Sequence, residues 1–200
     1  MREFVVVGHD APTTPEFSLD DLPGAGRLDV LCRCVTSAFL LSHDIREAVR
    51  VRLVLGGAYV VRFEGSELRH LRPDERSAAS LVRGALEARE EAIGAMEATP
   101  SPGVYVGSGG FERAVDDTSA AGERDELLVL HEDGEPLVDV DPPADAAFIL
   151  SDHRDFTDDE AETLRDAGAR RVSVGPRALH ADHAIIVAHN YLDTEGFRRY

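Results

Sequence analysis

Three apolar strands in the last third of the chain each end in a small polar or glycine-bearing turn. They read Leu127-Leu128-Val129-Leu130-His131, Phe148-Ile149-Leu150-Ser151-Asp152-His153 and Arg171-Val172-Ser173-Val174-Gly175-Pro176. The last continues through Leu179-His180-Ala181-Asp182-His183 into an apolar stretch ending near Tyr191. In an α/β fold, turns that follow strands at one edge of a parallel sheet are where ligands bind. None of these turns carries Gly-x-Gly-x-x-Gly or a Gly-Lys-Ser/Thr loop, which argues against ordinary dinucleotide or nucleoside-triphosphate binding. They expose backbone N–H and C=O groups beside apolar side chains, a setting that suits an adenine ring and a small zwitterion better than phosphates.

The chain has 200 residues, enough to bury roughly 70% of its unfolded surface without disulfides or metals. No apolar run approaches the ~18 residues of a membrane span, and Met1 to Val7 reads as a strand rather than a signal peptide. Cys32 and Cys34 fall on a probable helix about 200° apart, so neither a disulfide nor a chelate is expected. A cytoplasmic, reduced protein follows.

The formal net charge is −17, and all 21 basic residues are arginine. An acidic chain ordinarily avoids nucleic acid. A complete lack of lysine points instead to adaptation to molar salt, where a carboxylate-rich surface stays soluble. At ~1 M salt the Debye length is about 3 Å, so RNA binding would rest on short-range contacts. Residues 27–72 hold 8 arginines against 5 acids, a positive island within the acidic chain.

Strands and helices alternate. Met1–Gly8 is a strand, His9–Gly26 a loop long enough to be functional, and Arg27–Leu41 a helix with Leu28, Leu31, Val35 and Phe39 at helical spacing. Val49–Leu55 reads as a half-exposed strand that turns at Gly56-Gly57 into a second, Ala58–Phe63. One long amphipathic helix is predicted over 74–96, a flexible turn at Gly107-Ser108-Gly109-Gly110, and a helix over 158–167 opened by a Thr157/Glu160 capping box. The class is α/β with a mainly parallel sheet.

A metal site could draw on His131, His153, His180, His183 and His189 with Asp152 and Asp182, but no His-Glu-x-x-His pattern occurs, and histidines at strand ends more often cap turns. A serine nucleophile lacks its Gly-x-Ser-x-Gly elbow, and Cys32 sits on an apolar helix face. Neither metal nor covalent catalysis is expected.

Five segments carry a resemblance: Phe4-Val5-Val6-Val7-Gly8-His9, Gly26-Arg27-Leu28-Asp29-Val30-Leu31, Phe148 to His153, Val172-Ser173-Val174-Gly175-Pro176 and His189-Asn190-Tyr191-Leu192-Asp193. In their order and spacing the chain resembles the archaeal tRNA pseudouridine N1-methyltransferases (the TrmY family) of the SPOUT superfamily. The resemblance implies one domain over 1–200, with an RNA-facing part at 1–100 and a knotted, cofactor-binding part at 126–200. It implies a deep C-terminal trefoil knot, an exception to unknotted topology. It also implies S-adenosylmethionine as cofactor, a homodimer, and N1-methylation of pseudouridine 54 in the T-loop of tRNA. Cofactor contacts would fall to Leu130, Leu150, Ser151, Val174, Gly175, Pro176, Leu179 and His183; relatives often carry glycine where this chain has Ser151.

By the same resemblance Asp29 would orient or deprotonate N1, and Arg27 would stabilise charge on the base or grip its phosphate. Arg33, Arg46, Arg50, Arg52, Arg62 and Arg72 would form forks for tRNA phosphates, with 9–26 as a gate for a base drawn out of its stack. A helix's first turn also welcomes an acid at Asp29 without any catalytic role. Alternative readings are N1- or ribose 2′-O-methylation of ribosomal RNA, a non-catalytic RNA-binding protein on the same fold, and a small hydrolase or nucleotide-binding protein.

Overall fold

The computed structural model describes residues 1–120 and 126–200. Eight strands form one sheet in the order β4-β5-β3-β2-β1-β7-β6-β8. They are β1 (Arg2–Gly8), β2 (Val49–Leu55), β3 (Tyr59–Glu64), β4 (Ala98–Ser101), β5 (Val104–Ser108), β6 (Glu126–Pro136), β7 (Ala146–Ser151) and β8 (Arg170–Ser173). The helices are α1 (Leu28–Phe39), α2 (Glu75–Glu87), α3 (Phe111–Ala120), α4 (Asp158–Asp166) and α5 (Ala181–Asp193).

β1 lies in the middle, parallel to β2 on one side and to β7 on the other. Its Val-rich run is buried on both faces, as a central parallel strand requires. β7, β6 and β8 continue the parallel half, while β2, β3, β5 and β4 pair antiparallel. One face packs beneath α1, α2 and α5 around Phe4, Leu31, Phe39, Leu53, Phe63, Phe148, Ile185 and Tyr191. The other packs Val5, Val7, Val54 and Ile149 under Phe111 and Val115 of α3 and Leu164 of α4.

The capping box forms as predicted, with Thr157 accepting from the Glu160 amide and Glu160 accepting from the Thr157 amide. The helix expected over 74–96 is shorter. α2 ends at Glu87, a 3-10 turn covers Arg89–Glu91, and Gly94 takes a positive φ of 60° that a continuing helix cannot hold. Ile93, assigned to its apolar face, is 68% exposed. The hairpin β4–β5 and helix α3 carry no such prediction; of the expected flexible turn at 107–110, Gly107 and Ser108 end β5, and Gly109 and Gly110 lead into α3. Gly110 is there for space, since a Cβ would meet the Gly57 carbonyl oxygen at 2.6 Å.

β6 makes a detour. Leu130 and Glu135 both pair with Val172 of β8, so residues 131–134 bulge away from the sheet. Gly134 crosses directly over β8, and a Cβ there would meet Val172 backbone atoms at 2.4–2.6 Å. β6 lies between β7 and β8, so the chain leaving β7 must cross it, by way of α4, to reach β8. α5 then folds back against α1, and the Tyr191 hydroxyl donates to the Val140 carbonyl at 2.9 Å.

His189 joins α5 to β1 and α1. Nε2 lies 2.9 Å from the Ala38 carbonyl and Nδ1 lies 3.1 Å from the Arg2 guanidinium. A carbonyl only accepts and a guanidinium only donates, so the ring is the neutral Nε2–H tautomer. Burial above all, then the nearby Arg46 and Arg2 charges, push its pKa down to about 4. Unfolded, the same ring protonates near 6.5. Its contribution to stability is therefore complete above pH 6.5 and is lost as pH falls toward about 4. Thermal melts across this range will show a steeper acid-side loss for the wild type than for His189→Gln; parallel curves would refute the assignment.

Candidate active site

The parallel strands β1, β6, β7 and β8 all end at one sheet edge, and the turns that follow them build the site. Leu130, Leu150, Ser151, Val174, Gly175 and Leu179 line a solvent-open cleft, mostly apolar with a few polar groups, as small-molecule sites are. Pro176 and His183 are not among its lining residues. His183 instead projects into solvent from α5, edge-on to His180 at 5.9 Å. Sequence reasoning missed Asp152, Arg154, Phe156 and Arg177, which also line the cleft. The one signal for them was their position in turns directly after β7 and β8.

Ser151 Oγ is buried and has no hydrogen-bond partner within the protein. An orphaned hydroxyl at a ligand cleft marks a position where a bound molecule supplies the missing partner. Gly175 lies in the opposite wall, and a Cβ there would meet nothing within 4 Å. Apolar walls from Leu130, Leu150 and Leu179 with a few polar atoms fit a flat purine and a small zwitterion.

The turn after β1 is tied to the turn after β7. The His9 amide donates to Asp152 Oδ2 at 3.0 Å, and the His9 ring reaches Asp152 at 3.2 Å and Glu160 at 3.0 Å. Carboxylate oxygens only accept, so both ring nitrogens carry protons. Burial on its own would lower the His9 pKa, but the hydrogen bonds to Glu160 and Asp152 outweigh it and raise it above 6.5. Asp10 and Arg154 pair across the same gap. The segment 9–26 is thus anchored at its start to the cleft.

Its other end is strained. Gly26 and Arg27 both take left-handed conformations, with φ of 60° at each. Gly26 is obligatory, since a Cβ would fall 1.7 Å from the Asp10 carbonyl oxygen. Arg27 pays for its left-handed backbone with a bidentate fork to Asp29, at 2.9 and 3.1 Å. Asp29 Oδ2 also accepts from Arg33 at 2.9 Å. Burial would raise the Asp29 pKa, but the hydrogen bonds from Arg27 and Arg33 outweigh it and hold the carboxyl below its usual range. Asp29 is thus held as an ionised carboxylate by two guanidinium groups.

Arg33 links this cluster to the cleft. Its Nε lies 3.6 Å from Asp182 on α5, next to the cleft-lining Ala181. Four other arginines of the positive island, Arg46, Arg50, Arg52 and Arg62, are paired with carboxylates as well. Arg46 reaches Asp193 at 2.6 Å, Arg50 reaches Glu64 at 2.7 Å, and Arg62 reaches Glu97 at 2.5 Å while stacking 3.9 Å above the Tyr105 ring. Asp193 and Glu97 come from outside residues 27–72, so folding cancels much of the island's charge. Arg52 corrects the expectation of a half-exposed strand. It is 5% exposed, paired at 2.5 Å with the fully buried Glu3 and covered by α3, so it is no fork for phosphate. Arg72 stands exposed.

Cys32 and Cys34 are buried thiols whose pKa burial pushes up, leaving no reactive thiolate. Among the described residues no group of three or more His, Cys, Asp or Glu is arranged to hold a metal. No helix among them is long and apolar enough to cross a membrane.

Residues 1–197 match the family of SAM-dependent RNA methyltransferases. The chain is 65% identical to the tRNA (pseudouridine(54)-N(1))-methyltransferase of Haloarcula marismortui and 64% identical to that of Haloferax volcanii, each over the full length of both chains. The enzyme of the same name from Methanosarcina acetivorans is 44% identical over 96% of this chain and 91% of its own. Among solved structures, Archaeoglobus fulgidus Nep1 bound to S-adenosylhomocysteine superposes with a TM-score of 0.64 at 17% identity, covering 96% of this chain and 97% of that one. The last likeness shows the shared fold. The family match over residues 1–197 and relatives this similar along the whole chain show that the protein belongs to the SAM-dependent RNA methyltransferases.

Proposed function

We propose that the chain methylates N1 of pseudouridine 54 in tRNA. The cleft formed by Leu130, Leu150, Ser151, Val174, Gly175 and Leu179 would hold S-adenosylmethionine, and the Arg27–Asp29–Arg33 cluster would hold the base. The observation that carries this reading is the full-length identity to enzymes of that name, joined to a cleft with an orphaned hydroxyl. S-adenosylmethionine supplies an electrophilic methyl group on sulfur. The protein must align N1 with that methyl and exclude water, and alignment can contribute roughly 7–11 kcal/mol.

Asp29 is the positioning carboxylate: it fixes Arg27 in its strained conformation and holds Arg33 toward α5. The Arg27 guanidinium is half-exposed and can face the base carbonyls or an adjacent phosphate. Arg33, Arg46 and Arg72, with Arg50 and Arg62 at the sheet, supply short-range contacts to RNA. Segment 9–26, anchored at both ends, would act as a gate over the target base.

The trefoil knot belongs to this reading too. It is supported by the crossing of β6 between β7 and β8 and by the detour at 131–134. A homodimer is supported by the exposed apolar side chains Leu41 and Ile186, which are 47% and 53% accessible. A tRNA substrate is consistent with cytoplasmic location.

Incubating the protein in high-salt buffer with S-adenosylmethionine and tRNA from cells lacking the gene will yield 1-methylpseudouridine mapping to the T-loop by mass spectrometry. Methylation elsewhere, or none despite cofactor binding, would redirect the reading to ribosomal RNA. Gly175→Leu projects a side chain into open cleft from a backbone that any residue can adopt. It should lower S-adenosylhomocysteine affinity by about tenfold or more with an unchanged melting temperature, since an apolar group would displace ligand. Asp29→Ala should reduce kcat by roughly 100-fold with cofactor affinity intact; near wild-type turnover would sink its role. Arg46→Gln with Arg72→Gln should weaken tRNA binding by about tenfold at moderate salt, and less in molar salt.

A further inference from the structure

Asp182 is 6% exposed, and its Oδ1 has no hydrogen-bond partner among the described residues. Its other oxygen faces Arg33 Nε at 3.6 Å and lies 3.7 Å from the His183 ring. A buried carboxylate oxygen without a donor is costly, and it calls for a group that arrives with the substrate. Asp182 occupies the first turn of α5 between Ala181 and Ala184, both of which line the cofactor cleft. Across from it, Arg33 bonds Asp29 at 2.9 Å. The Arg33 guanidinium therefore faces three carboxylates, Asp29, Asp182 and the more exposed Glu75 at 3.1 Å, and the first two differ. Asp29 already accepts three N–H groups from Arg27 and Arg33, whereas Asp182 has one oxygen unused.

The substrate presents a matching donor. Pseudouridine differs from uridine on one ring edge only: it carries N1–H where uridine carries C5–H. An enzyme that selects pseudouridine must place an acceptor against that edge, and the same acceptor is positioned to take the proton when nitrogen is methylated. We propose that Asp182 Oδ1 accepts the N1–H of the target pseudouridine, distinguishes it from uridine and receives its proton. This rests on the N1-methyltransferase reading above. In the step, the N1–CH3 bond forms as the methyl–sulfur bond breaks, and the sulfur keeps that bond's electron pair and becomes a neutral thioether. The N1–H electrons stay on nitrogen, and the proton passes to Asp182, which returns it to water. Arg33 keeps its contact with Oδ2 throughout.

The test compares wild type, Asp182→Asn and Asp182→Ala on T-loop RNA bearing either pseudouridine or uridine at position 54. Wild type should bind the pseudouridine RNA at least about tenfold more tightly, the value of a hydrogen bond to a charged acceptor, and Asp182→Ala should bind both equally. Asp182→Asn, close in shape, should lose about 100-fold or more in kcat, the usual contribution of a positioned base, while S-adenosylhomocysteine affinity and melting temperature stay unchanged. Full turnover in Asp182→Asn, or preserved discrimination in Asp182→Ala, would overturn the proposal. Lost cofactor affinity in either variant would overturn it as well, assigning Asp182 to the cofactor. If Asp182→Asn fails to fold, the binding comparison with Asp182→Ala decides alone, and if both fail, preference of the wild type for pseudouridine RNA of less than about twofold overturns it. Wild type that binds S-adenosylhomocysteine but methylates neither RNA would show the parent reading itself to be at fault.

Discussion

The parallel pairing of β1 with β7 at the centre of the sheet is the constraint on which the site depends. It sets Val7 opposite Ser151, so the turns beginning at His9 and Asp152 emerge side by side. The charged His9 ring then closes on Asp152 and Glu160, and Glu160 Oε2 also takes the Thr157 amide at 2.8 Å. One carboxylate thus serves both the start of α4 and the edge of the cleft. The N-terminal loop, the cleft wall and α4 are joined through a single imidazolium, which fixes how the two halves of the chain meet.

From that junction the chain travels to a second fixed point, the left-handed pair Gly26-Arg27. A non-glycine residue held in this conformation costs on the order of 1 kcal/mol or more. Here the fork to Asp29 offsets it, and Arg33 carries the network on to α5. The arrangement separates two tasks that one carboxylate performs badly. A group saturated with donors orients well and accepts protons poorly, because each added N–H favours its ionised form. Asp29 has that character, and on the proposed reading the second task falls to Asp182.

The parts of this molecule legible in the sequence are those determined by neighbours along the chain. The Val-rich β1 and the Phe-Ile-Leu run of β7 declare buried parallel strands, and the turns after β6, β7 and β8, read with the family resemblance, point to six of the cleft's lining residues. The Thr157/Glu160 box is local and readable. β4 and β5 were hidden because Pro100, Pro102 and Gly103 look like a break, yet they form a hairpin bend where a Cβ at Gly103 would meet Leu68 backbone at 2.4 Å. α3 was hidden because its polar face and the preceding glycines resemble a loop. The arginines misled for a different reason. Glu3 meets Arg52 and Glu97 meets Arg62 only through strand register, which composition cannot express.

That pairing decides which arginines can serve RNA. An exposed ion pair contributes about 0–1 kcal/mol, so exchanging the Asp193 carboxylate on Arg46 for a phosphate costs little. Breaking a buried pair by removing one partner costs about 3–5 kcal/mol, and the Arg52–Glu3 pair is of this kind. On the proposed reading, a chain with net charge −17 would approach a polyanion through surface arginines that release one anion for another. In molar salt such exchanges feel only their immediate surroundings. Affinity is then governed by the shape of the site and the fit of the target base more than by the sum of charge.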